Sequence, residues 1–99
     1  MRLAHAKRRD ENEKEIVAEL RSRGVSVMYS DEVDLIIGFR GRTYLFEVKQ
    51  HDKLFLKDGV TFRAGAIKPS QSKLMSTWRG HWSIVWSIEQ ILTQIGYEQ

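Results

Sequence analysis

The stretch DEVDLIIGFRGRTYLFEVKQ, residues 31–50, decides how this chain is read. Most of it is apolar and rich in the β-branched and aromatic side chains that fit a pleated surface. Asp34–Phe39 and Arg42–Lys49 are expected as two strands joined by a turn at Arg40–Gly41. Leu35, Ile36 and Ile37 are apolar on both parities, as are Leu45, Phe46 and Val48. Strands covered on both faces have that pattern, which implies a central sheet flanked by helices. Yet Asp34 stands on one arm, and Glu47 and Lys49 on the other.

A turn centred on Arg40–Gly41 pairs Leu35 with Phe46 and Ile37 with Tyr44, and sets Asp34 opposite Glu47. Their Cβ atoms would then lie about 4.5–5.5 Å apart on one face, and Lys49, two residues on, shares it. A four-residue loop from Phe39 to Arg42 leaves this register unchanged. A three-residue loop would send the carboxylates to opposite faces. Two like charges so close either take up a proton or recruit a cation. Oxygen-only ligands point to a hard ion, Mg²⁺ or Mn²⁺. Such an ion lowers the pKa of a bound water and polarises a phosphoryl oxygen. Lys49 does not ligate while charged, but it can stabilise an anionic transition state or orient an attacking water.

Outward from the hairpin, residues 9–23 read as a helix, with Ile16, Val17 and Leu20 as the inward stripe and Gly24 as its stop. Asp10 and Asn12 are candidate N-caps. Glu13 falls on the same stripe and could reach the carboxylates of the sheet. Glu11, Glu15 and Glu19 read as solvated surface. Val25–Tyr29 is a short strand, followed by a polar break at Ser30–Glu32. Within residues 50–69 a second hairpin with a type I′ turn at Asp58-Gly59 competes with a flexible loop. A helix from Pro69-Ser70 to about Trp78, a strand over Ser83–Trp86, and a helix opened by the Ser87/Gln90 capping box and closed by Gly96 complete the order. The order is αβββ, an insertion at 50–69, then αβα.

Plain structural roles stand beside these readings. Asp34 can open its strand by partnering the backbone, Glu47 and Lys49 can form a same-face ion pair, and Glu13 can serve the helix dipole. His5, His51 and His81 lack metal-ligand spacing and are expected at the surface. The three tryptophans are expected in the core rather than as base-stacking platforms.

Residues 1–99 are expected to form one domain. At 41% hydrophobic and 29% charged, the chain reads as globular rather than disordered. It has no apolar run long enough to span a membrane and no secretory h-region, which suggests a cytoplasmic protein. Without cysteine it has neither a disulfide framework nor a thiolate zinc site. The net charge of +3 permits a nucleic-acid partner without demanding one. There is no Walker loop, dinucleotide fingerprint or nucleophile elbow.

Asp34, followed by Glu47-Val48-Lys49 on the next strand and preceded by a helix bearing Glu13, resembles the PD-(D/E)XK nuclease superfamily, in particular its small stand-alone VRR-NUC type of phages and bacteria. The resemblance runs through RRDENEKEIVAELRSRGVSV, DLIIGFRGRTYLFEVK and SQSKLMSTWRGHWSIVWSIEQILTQIG. Val33 stands where the motif is named for proline, and residues 50–69 show no clear family pattern. The resemblance implies a restriction-endonuclease-like α/β core. It also implies a Mg²⁺- or Mn²⁺-dependent endonuclease that cuts DNA by in-line attack of water, leaving 5′-phosphate and 3′-hydroxyl ends. Asp34, Glu47 and the Val48 carbonyl would bind the metal, and Glu13 a second ion or a metal-bound water. Lys49 would position the nucleophile, and Gln71 would join the site from the helix after the loop. Resemblance to Holliday junction resolvases implies branched DNA, a homodimer and a bacterial or phage-infected cell. Lys7, Arg8, Arg9, Arg40, Arg42, Lys53, Lys57 and Lys68 are candidate phosphate contacts. A non-catalytic nucleic-acid-binding module on the same fold is the alternative.

Overall fold

The computed structural model describes residues 11–97. The expected N-cap Asp10, the basic cluster Lys7, Arg8 and Arg9, and His5 lie outside the described residues. The elements run α1 (Glu11–Ser22), β1 (Ser26–Tyr29), β2 (Leu35–Phe39), β3 (Arg42–Val48), α2 (His51–Leu54), α3 (Pro69–Thr77), β4 (Trp82–Val85) and α4 (Ile88–Ile95). The fold is α/β, with a four-stranded mixed sheet in the order β1-β2-β3-β4. The first three strands are antiparallel, and β4 lies parallel to β3. A parallel neighbour needs a long crossover. Residues 49–81, with α2 and α3, supply it.

Strand alternation divides the sheet into two faces. Leu35, Ile37, Phe46, Val48 and Val85 point to one side and pack against Ile16, Val17 and Leu20 of α1 and Ile91, Leu92 and Ile95 of α4. Both helices present apolar stripes at helical spacing, and this is the main core. Ile36, Leu45, Glu47 and Ile84 alternate to the opposite face. The crossover covers that side, with Leu54 fully buried and Met75 of α3 set against Trp82 and Ile84.

The hairpin has the expected register: Leu35 faces Phe46, Ile37 faces Tyr44, and Phe39 faces Arg42. Two residues therefore make the turn. Both have positive φ, 51° at Arg40 and 77° at Gly41, as a type I′ turn requires. Its twist matches that of the flanking strands, so no bulge shifts the pairing.

Several expectations need correction. Asn12 lies inside α1 rather than capping it. The last strand is Trp82–Val85, one residue earlier than expected. Residues 51–54 form a one-turn helix, too short for a periodic signal. Beyond it the chain does double back, with Phe55 bridged to Phe62, but the type I′ turn at Asp58-Gly59 does not form. Among the described non-glycine residues only Arg40 has positive φ, so Asp58 lacks the conformation that turn needs. Instead Gly59 N–H donates to Leu56 O, and the Asp58 carboxylate accepts from Val60 N–H, Thr61 N–H and the Thr61 hydroxyl. His81 is not a free surface group: its ring packs on Tyr44 and Phe46, and its Nε2 lies 2.8 Å from Gln94 Oε1. The tryptophans stay out of the buried core. Trp82 and Trp86 are half-buried and Trp78 is 49% exposed.

The turn gives the first test. A Cβ at Gly41 meets no atom within 4 Å, so Gly41→Ala isolates the cost of left-handed backbone. It should lower unfolding free energy by about 1–2 kcal/mol, whereas Arg40→Asn should raise it, both read from urea titrations. The loop gives a second. Hydrogen bonds from Thr61, side chain and backbone, and then from Val60, hold the Asp58 carboxyl below the usual carboxylate range. A depressed folded pKa stabilises the loop above the unfolded pKa, and that contribution disappears as pH falls through the folded value. The Thr61 amide resonance should therefore titrate with a midpoint below that of a free aspartate, about 3.9. A midpoint at or above that value would contradict the assignment.

Candidate active site

Asp34 is delivered by a short bend. Ser30 Oγ accepts from the amides of Glu32 and Val33, and Ser30 N–H donates to Asp34 O at 3.1 Å. Val33, where the superfamily motif carries proline, is buried and pins the bend to the body of the protein. The sequence reading treated Ser30–Glu32 only as a polar break. A serine two and three residues before amides that must turn is the signal that could have found it.

Past the bend, Asp34 Oδ2 accepts from Val48 N–H at 2.8 Å. The β2 ladder stops at Leu35, and the Asp34 side chain takes over as acceptor for the next part of β3. Continuing the register by one residue sets Asp34 opposite Glu47, as expected. Lys49 N–H donates to Val85 O at 2.9 Å, so the strand direction persists through Lys49 and the lysine shares the face of Glu47. Lys49 is half-buried.

Burial singles out the site residues. Among the described residues the buried polar or charged side chains are Glu13, Asp34, Glu47 and Gln71, at 4, 3, 4 and 8% exposure. Carboxylates are rarely buried so fully, because removing an ion from water is expensive. Gln71 sits in the first turn of α3, where its Oε1 accepts from Lys68 N–H at 3.0 Å. That bond anchors the side chain while fixing the start of the helix. The same helix faces the bend before Asp34 across a cleft of about 350 Å³ lined by Asp31, Glu32, Ser70 and Lys73. Glu13 is buried with Ile16, Val17 and Leu20 on α1, in the layer on the other side of the sheet.

Strand parity thus assigns Asp34, Glu47 and Lys49 to one sheet face, and α3, the helix of Gln71, packs against β4. Among the described residues, no three or more His, Cys, Asp or Glu side chains form a group that could hold a metal ion. Two carboxylates remain a sufficient donor set for Mg²⁺, which is commonly held by one or two carboxylates together with substrate phosphate and water. The oxygen-only chemistry of Asp34, Glu47 and the neighbouring Val48 carbonyl therefore fits a hard ion. Arg40 and Arg42 lie at the opposite end of the hairpin. Five residues of strand, about 17 Å, separate Arg42 from Glu47, and Arg40 stacks over Phe39. Lys53, Lys57 and Lys68 are exposed on the crossover.

Comparison of the chain with family models, curated proteins and solved structures finds no match. Among the described residues no helix is long and apolar enough to cross a membrane.

The Asp34 bond predicts a stability difference that is independent of catalysis. Asp34→Ala removes the acceptor for a buried amide and should cost about 1–3 kcal/mol. Asp34→Asn retains an oxygen acceptor and should cost less. Equal losses in chemical denaturation would show that the bond does not hold the hairpin end.

Proposed function

We propose that this chain is a divalent-metal-dependent endodeoxyribonuclease of PD-(D/E)XK type, acting as a homodimer on branched DNA in the manner of a Holliday junction resolvase. The observation that carries the reading is the set of buried polar side chains. Of the side chains that the resemblance singles out from sequence, Glu13, Asp34, Glu47 and Gln71 are buried and Lys49 is half-buried. The Val48 amide gives the buried Asp34 carboxylate a structural use, but desolvating a second carboxylate, Glu47, on the next strand is costly where well-packed apolar residues would be at least as stable.

In this reading Asp34 and Glu47, with the Val48 carbonyl, would hold Mg²⁺ or Mn²⁺, whereas Glu13, in the α1 layer across the sheet, is given no role at the ion. When bound, the ion supplies charge at the scissile phosphate and acidifies water. Asp34 is oriented for its part by the Val48 amide, which occupies one of its oxygens. Lys49 places its ammonium on the same face, where it orients the attacking water and stabilises developing negative charge. The Gln71 amide, anchored through its oxygen to the start of α3, would join the site as the resemblance implies. Exposed lysines of the crossover contact phosphates without reading sequence. The branched substrate and the dimer follow from the resemblance; a two-fold pair of sites matches two symmetric strands.

The test is cleavage of four-way, flap and linear DNA with EDTA, Mg²⁺ or Mn²⁺. Wild-type protein should cut only with metal. Asp34→Asn, Glu47→Gln and Lys49→Ala should each lose about 10²–10³-fold in rate while still binding DNA. Cleavage retained by these variants would refute the site. Binding without cleavage under any metal would make the chain a nucleic-acid-binding module instead.

A further inference from the structure

We propose that a groove beside β4, separate from the carboxylates, holds an unpaired base of single-stranded DNA. The groove has a volume of about 340 Å³, and Leu54, Phe55, Phe62, Met75, Trp82 and Trp86 are among its lining residues. Its aromatic rings are already arranged as a stack. Phe62 lies on Phe55 with centroids 5.1 Å apart and planes inclined by 17°, and Trp86 meets Phe55 edge-on at 5.2 Å. Phe55 is buried, but Phe62 is 51% exposed. One side of the Phe62 ring is used by Phe55, and half of the residue remains accessible for contact with a further planar ring. A nucleobase presents such a ring, and stacking of this kind tolerates any base because each has a π-face.

The charge of the crossover segment selects the occupant. Residues 50–81 carry six basic side chains, Lys53, Lys57, Arg63, Lys68, Lys73 and Arg79, against two acidic ones, Asp52 and Asp58, a net +4. All six basic residues are exposed. Lys53 and Arg63 adjoin the lining residues Leu54 and Phe62 in sequence, and Arg63 Nε donates to Asp52 O at 2.7 Å, which holds its guanidinium. The Asp58 carboxylate is occupied by Thr61 and Val60. An aromatic groove on a segment of net positive charge matches the alternation of base and phosphate along a single strand. A second copy of this chain would bring the same +4 against it, which disfavours self-association through this surface. Bases in a blunt duplex are stacked on one another and do not reach the groove.

The inference shares with the proposed function only the choice of DNA as polymer; it requires neither metal nor cleavage. It is tested on the full chain in EDTA, using fluorescent oligo-dT and a blunt duplex of equal length, with tryptophan fluorescence as a second readout. Oligo-dT should bind more tightly than the duplex and quench tryptophan emission. Phe62→Ala should weaken oligo-dT binding by about tenfold and leave duplex binding unchanged, whereas Phe62→Tyr should retain the wild-type affinity. Thermal melts establish that both variants are folded, which the exposure of Phe62 favours. Equal loss on both DNAs, or no loss on either, would overturn the proposal. So would a wild-type dimer in sedimentation that Phe62→Ala dissociates, since the groove would then belong to a second copy. Oligo-dT binding is read without metal, so a wild type that binds oligo-dT but cuts no DNA with Mg²⁺ or Mn²⁺ sinks the nuclease reading alone. Metal-dependent cleavage with unchanged oligo-dT binding by Phe62→Ala sinks this one alone.

Discussion

The hydrogen bond from Val48 N–H to the Asp34 carboxylate joins the folding problem to the chemical one. Backbone pairing between β2 and β3 ends at Leu35 and Phe46. Beyond that point a side chain continues the connection. A buried strand amide must have an acceptor, and here the acceptor is a carboxylate rather than a carbonyl. The requirement that completes the sheet thereby fixes Asp34 in direction and brings it to Glu47 and Lys49. Removing the acid would disturb both the strand end and the site.

The sheet separates the tasks of stability and chemistry. One face supplies the apolar surface that α1 and α4 cover, and a chain of 99 residues has room for little more than one such core. The other face begins with ordinary apolar positions, Ile36 and Leu45, and ends at the charged ones. The crossover shields this end, so Glu47 is 4% exposed although it lies outside the main core. Low-dielectric surroundings strengthen any charge interaction made there. They also make the site expensive to maintain in the absence of a compensating partner.

Much of this was legible in residues 31–50, because a two-residue turn leaves only one register. Gly41 accepts left-handed backbone readily, Arg40 follows at a strain, and the apolar alternation on both arms agrees with that pairing. The buried acids were legible for the same reason: once register is known, parity assigns their face. Gln71 was legible only through the family resemblance, since neither its spacing nor its type predicts burial. What escaped the reading lies where tertiary contacts outweigh local pattern. One helical turn at His51–Leu54 has no periodicity to detect. Asp58 looked like a turn-former and proved to be one, but its side chain closes the loop by capping amides rather than by adopting positive φ. The tryptophans follow hydrophobicity only in part: Trp82 and Trp86 border a groove instead of filling the core, and Trp78 is exposed.

The parallel pairing of β3 with β4 has a kinetic consequence. The β1–β2–β3 meander is assembled from neighbours in sequence, and hairpins of this kind form within microseconds. Joining β4 to β3 must first close the connection formed by residues 49–81, a non-local step that pairs more slowly. Until it does, the Lys49 amide has no Val85 carbonyl to hold it, and the strand end bearing Glu47 and Lys49 has one edge unpaired. A nascent or truncated chain can thus possess a native-like hairpin and still lack the native setting of Glu47 and Lys49. The topology postpones completion of that strand end until β4 has been made.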